Sequence, residues 1–140
     1  MHDPLDYMTL DVPGPTVTAV TRPFWEAVAA GHLLIQRCRD CGSPIFYPRA
    51  ICPTCWSDRL DWQPASGKGH LKTWSTIARP AHPAWTPVTP YSVGLVTLAE
   101  GPTLLTHLLA EPAVLAAGLP LRACFVRVGA ATLPFFEPQR

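Results

Sequence analysis

"CRDCGSPIFYPRAICPTC", residues 38–55, carries four of the five cysteines in a chain of 140 residues, and its reading decides the rest. Cys38 and Cys41 form one Cys-x2-Cys pair and Cys52 and Cys55 a second, with ten residues between the pairs. Two intervening residues make a tight knuckle, so both sulfurs of a pair turn toward one point. Two knuckles joined by short strands then offer four thiolates as a tetrahedron, a donor set that suits zinc. Zinc is the expected occupant, with iron in a rubredoxin-like site or an empty site as the alternatives. A catalytic zinc keeps one position open for water and four cysteines leave none, so the expected role is structural. A thioredoxin-like redox role needs a single pair beside a βαβ pattern, which this sequence lacks. A ribbon of about 30 residues buries too little apolar surface to fold alone, and metal binding supplies the missing free energy.

Upstream of the knot, "TRPFWEAVAAGHL" (residues 21–33) predicts a short amphipathic helix. Thr21 is placed to cap it, Pro23 fits its first turn and Gly31 its end. Phe24, Trp25 and Val28 fall on one face, which packs on the domain itself or on a partner. Residues 1–20 carry three prolines and no periodicity, so an extended arm is expected there, either docked on something or mobile. "LLIQRC" then enters the first knuckle as a strand, and "LDWQPASGKGHLKTWSTIARP" (60–80) reads as an exit strand, a turn and a longer strand. "YSVGLVTLAEGPTLLTHLLA" (91–110) is a hairpin closed by Ala99-Glu100-Gly101. Its runs are apolar on both faces, as in a small closed barrel with something packed outside it. A helical turn at "AVLAAG" precedes two more strands, "LRACFVRV" and "LPFFEP". Five or six strands with a helical insertion between the third and fourth resemble an OB-fold barrel. The expected fold is mainly β: an arm over 1–21, helix plus zinc ribbon over 22–64, and a five-stranded OB-fold barrel over 65–140.

Composition narrows the function. Hydrophobic residues make up 48% and charged residues 15%, enough for a packed core. Seventeen prolines favour short strands and stiff loops over long helices. The formal net charge of +1 is far from the basic balance that phosphate backbones reward. The first residues do not read as a signal peptide, and the most apolar stretch is broken by Gly118, Pro120 and Arg122. A cytoplasmic protein with no membrane partner is expected, and in that compartment paired cysteines are metal ligands before they are disulfides.

These pieces in this order resemble a known family. "PFWEAVAAG", the strand into the two cysteine pairs, "GKG" opening a barrel, "PYSVGLVTLAEGP" and "LPFFEP" are similar to the acyl-CoA-associated proteins of domain of unknown function 35. Those proteins combine a rubredoxin-like zinc ribbon with an OB-fold. The resemblance spans roughly residues 22–138. It implies a non-catalytic accessory subunit that binds a thiolase-superfamily enzyme and helps form or shield its acyl-CoA site. The partner then carries the chemistry, whether thiolysis or condensation, acyl transfer or retro-aldol cleavage, and a CoA thioester is shared between the two chains. The alternatives are a nucleic-acid-binding zinc-ribbon/OB module and a stand-alone acyl-CoA binder or hydrolase.

Other candidates carry weaker signals. The stiff loop "RPAHPAWTPVTP" (79–90) presents Arg79, His82 and Trp85, which with Trp25 are the candidate ligand or partner contacts. An incidental rigid connection is the favoured reading of each residue alone, whereas the loop as a whole is expected to touch a partner. His107 reads as a hydrogen-bonded wall residue, Cys124 as a core thiol, and Lys68 as a turn residue able to meet a phosphate. No catalytic residue is expected.

Overall fold

The structure, a computed structural model, describes residues 3–139. Around the cysteines, β1 (Leu34–Cys38) pairs antiparallel with β2 (Pro44–Ile45) on one side and β3 (Leu60–Pro64) on the other. The ladder Leu34↔Pro64 to Cys38↔Leu60 carries the chain into the first knuckle at one end and back toward the barrel at the other. This small sheet buries few side chains at its cysteine end, where Cys38, Ile45 and Cys52 pack together with Leu60 against them.

Five further strands close a barrel: β4 (Lys68–Ile77), β5 (Tyr91–Leu98), β6 (Thr103–Leu108), β7 (Pro120–Val128) and β8 (Ala131–Pro138). Their order around the barrel is β4-β5-β6-β8-β7, and β7 returns to β4 through Lys68↔Arg122. All the ladders are antiparallel except β6 with β8. A 3-10 turn at Pro112–Val114 separates the third and fourth barrel strands, where the sequence predicts a helical insertion. In β5 buried residues alternate with half-buried ones, as a pleated wall demands. Gly94 is fixed by a close approach: a Cβ there would stand 2.8 Å from both Leu108 Cδ1 and the Thr73 carbonyl.

The helix α2 (Arg22–Ala29) buries Phe24 and Val28. They join Leu33 and Ile35 in one buried cluster with Leu71, Val96, Leu121 and Phe136 of the barrel. The helix therefore packs on its own domain, and it ties the base of the ribbon to the barrel. Thr21 precedes it without capping it. The Thr21 hydroxyl instead accepts the Thr18 N–H at 2.9 Å within a local turn, which competes with the cap.

The N-terminal residues depart from the expected extended arm. Asp3 caps a five-residue helix, α1 (Pro4–Met8), through a capping box with Asp6. Tyr7 and Leu10 are buried in a second cluster with Val88, Val126, Val128 and Phe135. The helix was hidden because one turn shows no periodicity, while two side chains suffice to anchor the segment on the barrel. Among the described residues, no helix is long and apolar enough to cross a membrane.

Candidate metal centre and the aromatic groove beside it

Each cysteine pair folds into the same knuckle. The Gly42 N–H donates to the Cys38 carbonyl at 2.9 Å and the Cys38 N–H to the Ser43 carbonyl at 3.0 Å. In the second knuckle the Trp56 N–H donates to the Cys52 carbonyl at 2.9 Å and the Cys52 N–H to the Ser57 carbonyl at 2.8 Å. The residue after each pair, Gly42 or Trp56, takes a positive φ of 75° or 68°. This repeat brings the four sulfurs together: all lie within 4.8 Å of one another, with Cys38–Cys55 at 3.5 Å and Cys41–Cys52 at 3.6 Å. A tetrahedron with metal–sulfur bonds of about 2.3 Å has edges of about 3.8 Å, so the donor set fits zinc.

The knuckle backbone also prepares the ligands. Backbone N–H groups of Cys41 and Asp40 hold the Cys38 thiol below its ordinary value. Those of Cys55 and Thr54 bring Cys52 down to about 6. At Cys55 the Ser57 backbone lowers the value, but the crowd of neighbouring thiols pushes it up to about 12, as expected where several thiolates share one space. A cation at the centre removes that repulsion. Cys38 and Cys52 are buried while Cys41 and Cys55 face solvent. With four thiolates bound, a zinc ion supplies a cross-link and no site for water or substrate.

Beside the ribbon lies a groove of about 370 Å³ between α2, the β2–β3 loop and the barrel. Trp25, Phe46 and Tyr47 line it from the ribbon side, and Trp85, Tyr91 and His107 from the barrel side. The Trp25 indole N–H donates to the Tyr47 hydroxyl at 2.9 Å, which fixes both rings. His107 is buried, stacked on Phe135 at 4.4 Å and on Tyr91 at 4.7 Å, and shares a 3.0 Å hydrogen bond with the Tyr7 hydroxyl. Burial, with Asp6 and Tyr91 adding to it, raises Tyr7 to about 12, so this hydroxyl stays protonated. His107 is thus a satisfied wall residue.

The structure brings Trp25 and Trp85 to this groove and leaves Arg79 and His82 off its lining. Arg79 is exposed, and His82 is exposed with its Nδ1 accepting the Ala84 N–H at the start of a 3-10 helix, Pro83–Val88. That helix buries Val88 and stacks Trp85 near His107, so the stiff loop serves the barrel as well as its surface. Tyr47, Tyr91 and the exposed Leu105 were not singled out in sequence, because only the docking of ribbon on barrel makes them neighbours. Lys68 lies instead on a separate open groove of about 700 Å³ with His32 and Arg122. Cys124 is half-buried, and burial above all, with Glu137 beside it, pushes its thiol up to about 12, where it is no nucleophile.

Comparison with known proteins agrees with this architecture. Residues 25–61 match the ChsH2 rubredoxin-like zinc ribbon domain, and residues 62–126 the ChsH2 C-terminal OB-fold domain. A probable enoyl-CoA hydratase alpha subunit of Thermomonospora curvata is 33% identical over 90% of this chain, which spans about 40% of that protein's length. The benzoylsuccinyl-CoA thiolase subunit BbsA of Thauera aromatica is 30% identical over 70% of this chain and 68% of its own. A solved structure described as the Ltp2-ChsH2(DUF35) aldolase superposes with a TM-score of 0.79 at 32% identity, covering 89% of this chain and 98% of that one. Matched in both halves and in their order, the chain belongs to the ChsH2-type family of rubredoxin-like zinc ribbons joined to an OB-fold, the family of domain of unknown function 35.

Proposed function

We propose that this chain is a non-catalytic, cytoplasmic accessory subunit that binds a thiolase-superfamily enzyme and helps form or shield its acyl-CoA site. The observation that carries the reading is the aromatic groove shared by ribbon and barrel, set beside a metal centre with no open position. The groove is preformed, apolar and held by the Trp25–Tyr47 hydrogen bond, but it offers no activated nucleophile. Such a surface can seat an apolar acyl or pantetheine segment whose reaction takes place on another chain. Trp25 and Trp85 are its contacts in this reading, and Lys68 on the second groove, where Arg122 is paired with Glu137, suits a phosphate. Zinc at Cys38, Cys41, Cys52 and Cys55 holds the ribbon side of the groove in place. The relatives named above as subunits of CoA-thioester enzymes support a partner of this class.

Co-expression with thiolase-superfamily proteins from the same genome, followed by gel filtration, tests the reading. One of them is expected to co-elute with this chain, with one zinc per copy of this chain. Separate elution of all of them, with no change in their solubility, contradicts it.

A further inference from the structure

The two knuckles are built alike but differ at one position. Each requires a residue of positive φ after its second cysteine, and the first knuckle uses Gly42. The second places Trp56 there, with φ 68° and 81% of its surface exposed. A bulky residue in the left-handed region strains the backbone, and a large exposed indole gains nothing from its own fold. Among the described residues Trp56 makes no side-chain hydrogen bond and no ring contact. The chain therefore bears two costs at this site, and among the described residues no side-chain hydrogen bond or ring contact of the indole offsets them.

The surroundings show what kind of surface meets it. Ile51, just before the second cysteine pair, is 49% exposed, and the bond from the Cys52 N–H to the Ser57 carbonyl closes the turn that carries Trp56. Ala50 and Pro53 are exposed as well, so the knuckle tip is apolar. Around it the charges of the two signs balance: Arg39 pairs with Asp61 at 2.7 Å and Arg59 with Asp40 at 3.7 Å, while exposed Arg49 and Asp58 add one charge of each sign with no ion pair among the described residues. An alternating, nearly neutral rim does not attract a phosphate backbone or an anionic lipid surface. It suits a folded protein that offers an apolar socket with its own alternating charges at the edge.

We infer that Trp56, with the exposed Ile51 of the same knuckle, is the anchor by which the zinc knuckle docks into an apolar, indole-sized socket on the partner subunit. This rests on the subunit reading above and names the contact that carries its affinity. A projecting tryptophan framed by smaller contacts is the usual form of an interface hot spot. The zinc site then has a second consequence: it fixes the strained backbone that holds the indole outward before the partner arrives.

The test uses the zinc-loaded full chain and the thiolase-superfamily protein that co-elutes with it, with affinity measured by calorimetry. Trp56→Gly removes the anchor and relieves the strain together. It is expected to keep its zinc and its melting temperature while binding at least tenfold more weakly, and Trp56→Phe is expected to retain most of the affinity. Binding by Trp56→Gly within threefold of the unaltered chain overturns the inference and leaves the subunit reading standing. No binding by the unaltered chain overturns both. Self-association, or a fluorescence shift with phosphatidylcholine vesicles, that Trp56→Gly abolishes while partner affinity stays unchanged assigns the indole to another surface and overturns it too.

Discussion

The ribbon and the barrel stay folded for different reasons. At its cysteine end the ribbon packs little besides Cys38, Ile45, Cys52 and Leu60, whereas the barrel closes on Leu71, Val96, Leu121 and Phe136. Apolar burial supports the barrel, and a metal must support the ribbon tip. The contrast also separates roles, since a surface fixed by metal can be nearly all exposed and still be rigid.

Removing the metal should break this contrast most severely. Structural zinc in small peptides is worth about 10–16 kcal/mol apparent. Chelation, or Cys41→Ser, is expected to abolish metal content and amide-exchange protection at residues 38–60 while β4 to β8 stay protected. Loss of protection in the barrel as well would show that the two regions form one cooperative unit. Within the barrel, Phe136→Ala should cost about 3–5 kcal/mol by cavity formation, read as a lower denaturant midpoint, with zinc retained.

Smaller effects sharpen the picture at the barrel's second cluster. Tyr7→Phe removes the hydroxyl shared with His107 and should cost about 1 kcal/mol. It should also change the alkaline limb of stability. Tyr7 is raised from 10.0 to about 12 in the fold, so the folded state holds this proton more tightly than the unfolded chain. Its contribution is complete below pH 10 and lost as pH rises through about 12. Chemical denaturation between those values should therefore fall less steeply with pH in Tyr7→Phe. A change of similar size compares the knuckles directly: Gly42→Ala should destabilise by about 1 kcal/mol through backbone strain alone, since no atom stands within 4 Å of the new Cβ.

The cysteine spacing announced the metal centre because ligand chemistry is local: two residues between thiols define a knuckle whatever surrounds it. The barrel strands were legible for a similar reason, through alternation and the Ala99-Glu100-Gly101 turn between β5 and β6. The N-terminal helix and the place where the arm docks were not, because Tyr7 meets a histidine 100 residues away and one helical turn leaves no pattern. The groove was half legible. Trp25 and Trp85 stood out as aromatics, but Tyr47, Tyr91 and Leu105 join them only through tertiary packing. His82 drew attention by its type and proved to cap a 3-10 helix.

The central claim, that the reactive groups belong to a partner, is tested most directly by turnover in three parallel assays. The zinc-loaded chain alone, the thiolase-like protein alone and their mixture are each given the same CoA thioester. The account predicts no turnover by this chain and full turnover only in the mixture. Thioester cleavage by this chain alone, surviving rigorous removal of the partner, would contradict it.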